Sequence, residues 1–573
     1  MCSVDGFTGK HKFSIEQYAA FNADRGPDGT NYWCDEYVSI AHSLLQIQDN
    51  PDNTVQPVER GDYVLSYNGE IYGIDGFDTD YLMDILIEGN WAKLKYETNG
   101  MWAFALYNKK TQKLTLCRDH LGVKALYWMR HNGEIYWSST PKPLIAVIQE
   151  SCALIQEAGY KDTLDFLDGF WLSPETQYYG IRRVPPGGII HFDLKEKKLT
   201  TVDATDNLWG ADTSRFNLHP RNNWDPDEYK ELAERAIRDV CTAPNKRKCV
   251  SLSGGLDSTL IASLNRHQDN LFCSTISFEP VVDDNTTTRL MHESILAEKT
   301  CKEFGLEWTT TEIKKQWQNT GDFEEAVKRI GAFMWLGSRI VPRYRNVKNA
   351  AENGAKIYIV GDLADEMLTG YSGHCWYHIG AEDPRVGPTA YWINAWRDDA
   401  EYEKWFTNKN QGHYYNWYPK HLHGTDKVNN HLFWRLMQSV DSFNGLVDNL
   451  AGSYGMESRV PFMHQEFVKY VMKIPSNEKL RVPTRRDIRE GHHVLKPPAE
   501  DHFDDEGFNI KNGLYKRLIR DELKEYIPDH VNGAVNKVGF SVPWNARDGK
   551  LNNKLRQIEA AQAWKVLAKE YRF

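Results

Sequence analysis

Apolar positions along this chain change their period between its first third and the rest. Up to about residue 200 they come in short alternating runs, such as Tyr37-Val38-Ser39-Ile40-Ala41 and Tyr63-Val64-Leu65-Ser66-Tyr67. Alternation at period two predicts half-buried strands. Two stretches, Ile15 to Ala23 and Asp80 to Ile87, have helical spacing instead, with Asp78-Thr79 placed to cap the second. After VPPGG (184–188), Ile189-Ile190-His191-Phe192 reads as the last strand of a mostly β unit with two helices. Residues 203–226 are rich in Asp, Asn, Thr and Pro with little periodicity, which predicts a linker. Helical spacing resumes at Tyr229 to Val240, opened by Asp225-Pro226. Apolar runs then follow at Lys248 to Leu252, Ser274 to Phe278 and Lys356 to Val360, alternating with helical segments. That order predicts a parallel sheet covered by helices, with ligands held outside the strands' carboxyl ends. Residues 375–435, crowded with Trp, Tyr, His and Asn, fit neither period and read as an insertion.

Composition narrows the class. A chain of 573 residues exceeds one ordinary core, so two domains are expected. A net charge of -10 argues against binding to nucleic acid through phosphate contacts. No apolar run is long enough for a membrane span, and the N-terminus lacks a secretory pattern. The 9 cysteines are scattered and never form CxxC, so neither a disulfide framework nor a zinc site is expected, and a cytoplasmic location fits best.

Candidate chemistry gathers at three places. If Met1 is removed, Cys2 carries both a thiol and a free α-amino group, and an amine with a pKa near 8 can serve as base for its own side chain. Asn68-Gly69 is either a hairpin turn or a pair of donors, side-chain amide and backbone N–H, for a developing oxyanion. Ser253-Gly254-Gly255-Leu256-Asp257-Ser258 follows a strand and precedes a helix, which makes an anion site of backbone N–H groups. Its spacing matches neither a Walker loop nor a dinucleotide fingerprint.

Met1-Cys2-Ser3, RGPDG (25–29), YNGEIYG (67–73), GMWAFALYN (100–108) and RDHLGVKALYW (118–128) occur in the order of class II glutamine amidotransferases. From residue 1 to about 545 the chain resembles the glutamine-hydrolysing asparagine synthetase family. The resemblance implies an α+β N-terminal-nucleophile hydrolase sandwich of αββα layers over residues 1–202, the linker at 203–226, and a Rossmann-like α/β ATP-pyrophosphatase domain over 227–573. It implies Cys2 as nucleophile, Asn68 and Gly69 as oxyanion hole, and Glu70 and Asp80 as partners of a glutamine ammonium. The family's AHxRL arginine, which pairs with the glutamine carboxylate, is replaced here by Leu44. Another cation reaches the site, or glutamine binds poorly, or the donor amide lacks that carboxylate. The resemblance assigns ATP to Ser253, Gly254, Gly255, Asp257, Ser258 and Gly361, with Leu252 and Ser277 near the adenine. Mg²⁺ falls to Asp257 and Asp365, and Lys516 faces the leaving pyrophosphate. Gly361-Asp362-Leu363-Ala364-Asp365-Glu366 stands where the family has GEGSDE, so Asp362 takes the place of a glutamate near the reacting acyl centre. His464 stands where PFxD has an aspartate, and both changes suggest a reshaped acceptor pocket.

The implied activity is a two-part amide ligation. Cys2 releases ammonia from glutamine, and the second domain adenylates an acceptor carboxylate, aspartate in the first instance, then amidates it. An internal ammonia path is expected, and a homodimer is left open. The alternatives are the same ligation on another carboxylate, an ATP-dependent cyclase of the β-lactam synthetase type, and a non-catalytic binding protein.

Overall fold

The alternating runs extend into two six-stranded antiparallel sheets. In this computed structural model the described residues are 2–48, 55–148, 176, 178, 180–201, 220–221, 223–279, 285–314, 320–331, 337–370, 426–440, 444–480, 516–532, 566 and 569–570. The strands are β1 (Ser3–Thr8), β2 (Gly29–Cys34), β3 (Val38–Leu44), β4 (Val58–Arg60), β5 (Tyr63–Ile71), β6 (Gly100–Asn108), β7 (Lys113–Arg118), β8 (Tyr127–His131), β9 (Glu134–Ser138), β10 (Arg182–Arg183), β11 (Ile189–Asp193) and β12 (Lys198–Thr201). One sheet has the order β10-β8-β9-β1-β3-β2 and the other β12-β11-β7-β6-β5-β4.

The near-continuous apolar run of β6 follows from having both faces covered. Ala103, Ala105 and Tyr107 pack with Val4, Ile40 and Trp137 of the facing sheet. Trp102, Phe104 and Leu106 pack with Leu82, Met83 and Leu86 of the helix Asp78–Ile87. The helix Ile15–Ala20 covers the outer face of the first sheet through Ile15 and Tyr18. The result is the expected αββα sandwich. Three local expectations change. Asn68 and Gly69 lie inside β5, opposite Ala103 and Trp102, and not in a hairpin turn. Asp78 and Thr79 are helical, with Phe77 as the cap. β12 follows β11, so Ile189 to Phe192 is not the last strand.

The second unit is a five-stranded sheet, β13 (Lys248–Ser251), β14 (Leu271–Phe278), β15 (Glu307–Ile313), β16 (Ile357–Ile359) and β17 (Glu457–Arg459). Its order is β15-β14-β13-β16-β17 and every pairing is parallel. The helix Pro226–Cys241 opens on Asp225, whose carboxylate accepts the Asp227 N–H at 2.9 Å, with Pro226 at its first turn. Most of the 203–226 and 375–435 segments, and the Lys537-Val538-Gly539-Phe540 motif, lie outside the described residues.

The two units meet through buried charge. Arg25 donates to Asp448 at 3.1 Å, both fully buried. Lys124 lies 3.7 Å from Asp448 and donates to the Ser458 carbonyl at 3.2 Å. Arg459 reaches Glu70 at 2.7 Å. His464 belongs to this seam, stacked on Tyr72 at 5.9 Å with Nε2 2.7 Å from Asn99 Nδ2. The histidine that stands in place of the family's aspartate therefore takes part in the domain contact. Removing one partner of a buried ion pair strands the other. Asp448→Ala should cost about 3–5 kcal/mol of stability, read from denaturant unfolding; a loss under about 1 kcal/mol would mean the seam tolerates uncompensated charge.

Candidate active site

The end of β3 sets Cys2 in place. The Leu45 N–H points at Cys2 Sγ at 3.4 Å, and Arg25 donates to the Cys2 carbonyl at 3.4 Å. Burial raises the thiol pKa, while the amino terminus and the Leu45 contact pull it down. A cavity opens beside it, lined by Cys2, Leu44, Asn68, Gly69, Glu70 and Asp78 among others, and closed on one side by Glu457 and Arg459 of β17. Gly69 has no room for a side chain, since a Cβ would lie 2.3 Å from the Met101 carbonyl. Asn68 is 1% exposed, and neither end of its side-chain amide has a hydrogen-bond partner. A buried amide left unpaired costs about 1–3 kcal/mol, so it marks a place where a ligand supplies the missing partner.

Of the two acids proposed for an ammonium, Glu70 lines the cavity and Asp80 does not. Asp80 turns outward to Arg60 at 2.7 Å with 43% of its side chain exposed. Asp78 takes its place, buried and accepting a hydrogen bond from the Tyr67 hydroxyl at 3.1 Å. Helical period identifies it, because Asp78, Leu82 and Ile85 share the buried face while Asp80 and Asp84 do not. Glu457 and Arg459 are distant from Cys2 in sequence, and the sheet topology brings them to its cavity.

Burial pushes Asp78 up to about 6 and Glu70 up to about 7, the latter opposed by Arg459 and aided by Glu457 and Asp78. Burial also works against Glu457, yet Lys124 and Arg459 outweigh it and hold that carboxyl below its ordinary range. His42, buried beneath β5 with Nδ1 3.1 Å from the Ser66 hydroxyl, is pushed down to about 3 by burial and the terminal charge, so it stays neutral.

The second centre sits at the carboxyl ends of β13, β14 and β16. Gly254 has φ +78°, and a Cβ there would meet the Glu293 carbonyl at 2.4 Å. Ser253 and Ser258 close the loop, with the Ser253 N–H donating to the Ser258 hydroxyl at 3.1 Å and the Gly255 N–H to the Ser253 hydroxyl at 3.3 Å. The helix Leu256–Asn265 begins there with no side-chain cap, leaving its first N–H groups for an anion. Gly361 backs onto Asp257, where an added Cβ would lie 3.1 Å from the Asp257 Cβ. Ser277 ends β14. Both backbone groups of Leu252 are paired, N–H to Ser274 at 2.9 Å and carbonyl to the Thr275 hydroxyl at 2.8 Å. Asp257 and Asp365 converge on Lys516, whose Nζ donates to Asp257 and lies 2.5 Å from Asp365. Asp257 Oδ1 is buried with no hydrogen-bond partner. Two carboxylates with an unused oxygen fit a magnesium that completes its shell with phosphate oxygens and water. Among the described residues no group of three or more ligating side chains surrounds a point. Asp362 is gripped by Arg343 through both terminal guanidinium nitrogens, at 2.6 and 3.1 Å, which occupies one lone pair on each carboxylate oxygen.

A thiol beside an unpaired amide in one unit, and a phosphate loop under two acids and a lysine in the other, define a glutamine amidotransferase joined to an ATP-using ligase. The glutamine amidotransferase domain family matches residues 1–202 and the asparagine synthase family residues 228–566. The chain belongs to the asparagine synthase family and is an asparagine-synthetase-like carbon–nitrogen ligase. It is 24% identical to the putative asparagine synthetase [glutamine-hydrolyzing] 1 of Methanocaldococcus jannaschii, over 93% of this chain and 91% of that one. It is 23% identical to asparagine synthetase [glutamine-hydrolyzing] 3 of Bacillus subtilis, over 92% and 89%. It is also 21% identical to the protein named Amidase chry2 of Gibberella zeae, over 96% and 93%. A solved glutamine phosphoribosylpyrophosphate amidotransferase from B. subtilis shares 11% identity over 63% of this chain and 81% of that one, with a TM-score of only 0.25.

Asp78 and Glu70 must be anionic to hold an ammonium, and their raised values place that change near neutrality. As pH rises from about 5 to about 8, KM for glutamine should fall. A KM that is flat or rising across that window would show that these acids do not face the substrate.

Proposed function

We propose that the chain is a glutamine-dependent amide ligase that couples two reactions through one seam. Cys2 attacks the donor amide, the oxyanion that forms is met by the Asn68 side-chain NH₂ and the Gly69 N–H, the C–N bond breaks to release ammonia, and water hydrolyses the resulting thioester to glutamate. The unpartnered buried amide of Asn68 beside Cys2 carries this reading. A cyclase or a binding protein has no use for such a donor. Glu70 and Asp78 hold the substrate ammonium.

In the second centre, the SGGLDS loop and the N-terminus of the helix Leu256–Asn265 hold the ATP phosphates. An acceptor carboxylate oxygen attacks the α-phosphorus, the bond to pyrophosphate breaks, and an acyl-adenylate forms. Lys516 stabilises the charge on the departing pyrophosphate. Asp257 and Asp365 would hold a magnesium ion, which when bound neutralises phosphate charge. Ammonia then attacks the acyl carbon and AMP leaves, giving the amide. Asp362 and Arg343 act together to position the loop between ATP and acceptor.

Aspartate is the first candidate acceptor. A second reading, another carboxylate, is favoured by Leu363, which is buried at φ +70° where the family pattern has glycine. The full-length similarity to a protein named as an amidase supports keeping that reading open. A panel of carboxylic acids, tested for AMP and pyrophosphate release with glutamine or ammonium as donor, separates the two. Cys2→Ala should abolish the glutamine-driven product by at least ~10³-fold and keep most of the ammonium-driven product. Equal loss of both would overturn the two-centre scheme.

A further inference from the structure

We propose that Arg459 is the cation that reads the donor's α-carboxylate, in place of the arginine missing at Leu44; this rests on the glutamine-hydrolysing reading. Leu44 lines the Cys2 cavity and cannot bond a carboxylate, and among the described residues Arg459 is the one cationic side chain that lines it. Its guanidinium is fully buried. Nε donates to Glu457 at 2.9 Å, and Nη1 donates to the Val240 and Thr242 carbonyls at 2.9 and 2.8 Å. Those three bonds fix its plane and leave Nη2 facing Glu70, which also lines the cavity.

Nη2 stands 2.7 Å from Glu70 Oε2, yet neither atom has an aligned hydrogen bond. The pair is close but not well bonded. An amino-acid zwitterion can displace the Glu70 carboxylate from Nη2. Its carboxylate takes Nη2 of Arg459 and its ammonium takes Glu70, with Asp78 alongside. Each buried charge keeps a counter-charge, so the exchange strands none. A donor lacking the carboxylate would take Glu70 away from Arg459 and give nothing back.

The placement has a consequence for coupling. Arg459 belongs to β17, and its carbonyl accepts the Val360 N–H at 3.0 Å, one residue before Gly361-Asp362. The strand that reads the donor carboxylate therefore also supports the loop at the ligation centre.

The test compares ammonia release from L-glutamine and from 4-aminobutanamide, which is glutamine without its carboxylate, using the full-length protein. Wild type should favour glutamine by at least ~100-fold in kcat/KM, the size of a lost buried charge pair. In Arg459→Met the preference should fall below ~10-fold, chiefly through KM, and Arg459→Met with Leu44→Arg should restore it. Equal use of both donors by wild type, or an undiminished preference in a folded Arg459→Met, overturns the proposal while leaving the glutaminase reading in place. If Arg459→Met does not fold, Leu44→Arg alone decides: a preference within ~10-fold of wild type supports Arg459, and a gain beyond ~100-fold shows that the site had no cation. Release of ammonia from neither donor by wild type sinks the glutaminase reading, and the proposal with it.

Discussion

Six buried or nearly buried charges hold the two halves of this protein in register. Arg25, Lys124 and Glu70 come from the sandwich; Asp448, Glu457 and Arg459 come from the synthetase half. Three cations face three anions, and neither half is neutral alone. Such clusters are poor sources of net stability, because desolvation offsets the attraction, but each member strongly disfavours any arrangement that leaves it unpaired. The seam is therefore better read as a device that fixes position than as one that adds strength.

Position matters because β17 serves both centres. Glu457 and Arg459 wall the Cys2 cavity, while their strand lies beside β16, which runs into Gly361 and Asp362. A shift of that strand would disturb donor binding and the ligation loop together. Some of the chain's left-handed backbone lies beside the ligation loop. Leu363, Thr369 and Lys516 all have positive φ, of 70°, 60° and 53°. Residues persist in such conformations only where their surroundings over-determine them, as the pairing of Lys516 with Asp257 and Asp365 does here.

What could be read from the chain alone was what depends on neighbours in sequence. The strand runs, the SGGLDS turn between strand and helix, and the capping of the helix at Pro226 rest on consecutive residues, and they fold as their pattern implies. Asp78 is legible too, because the helical period places it on the buried face with Leu82 and Ile85. Other features were not. Asn-Gly favours a tight turn, and only pairing with Ala103 and Trp102 keeps it in mid-strand. Asp362 meets Arg343 across a loop and a helix, and His464 meets Tyr72 across the seam. No local pattern announces contacts of that kind.

Coupling of the two centres requires ammonia to cross from Cys2 to the acyl centre inside the chain. Product amide made from glutamine labelled with ¹⁵N at its amide, in the presence of excess unlabelled ammonium, measures this directly. Label in the product should follow the glutamine and exceed the bulk ammonium ratio severalfold. Product carrying only the bulk ratio would mean that the two centres share a chain but not a reaction.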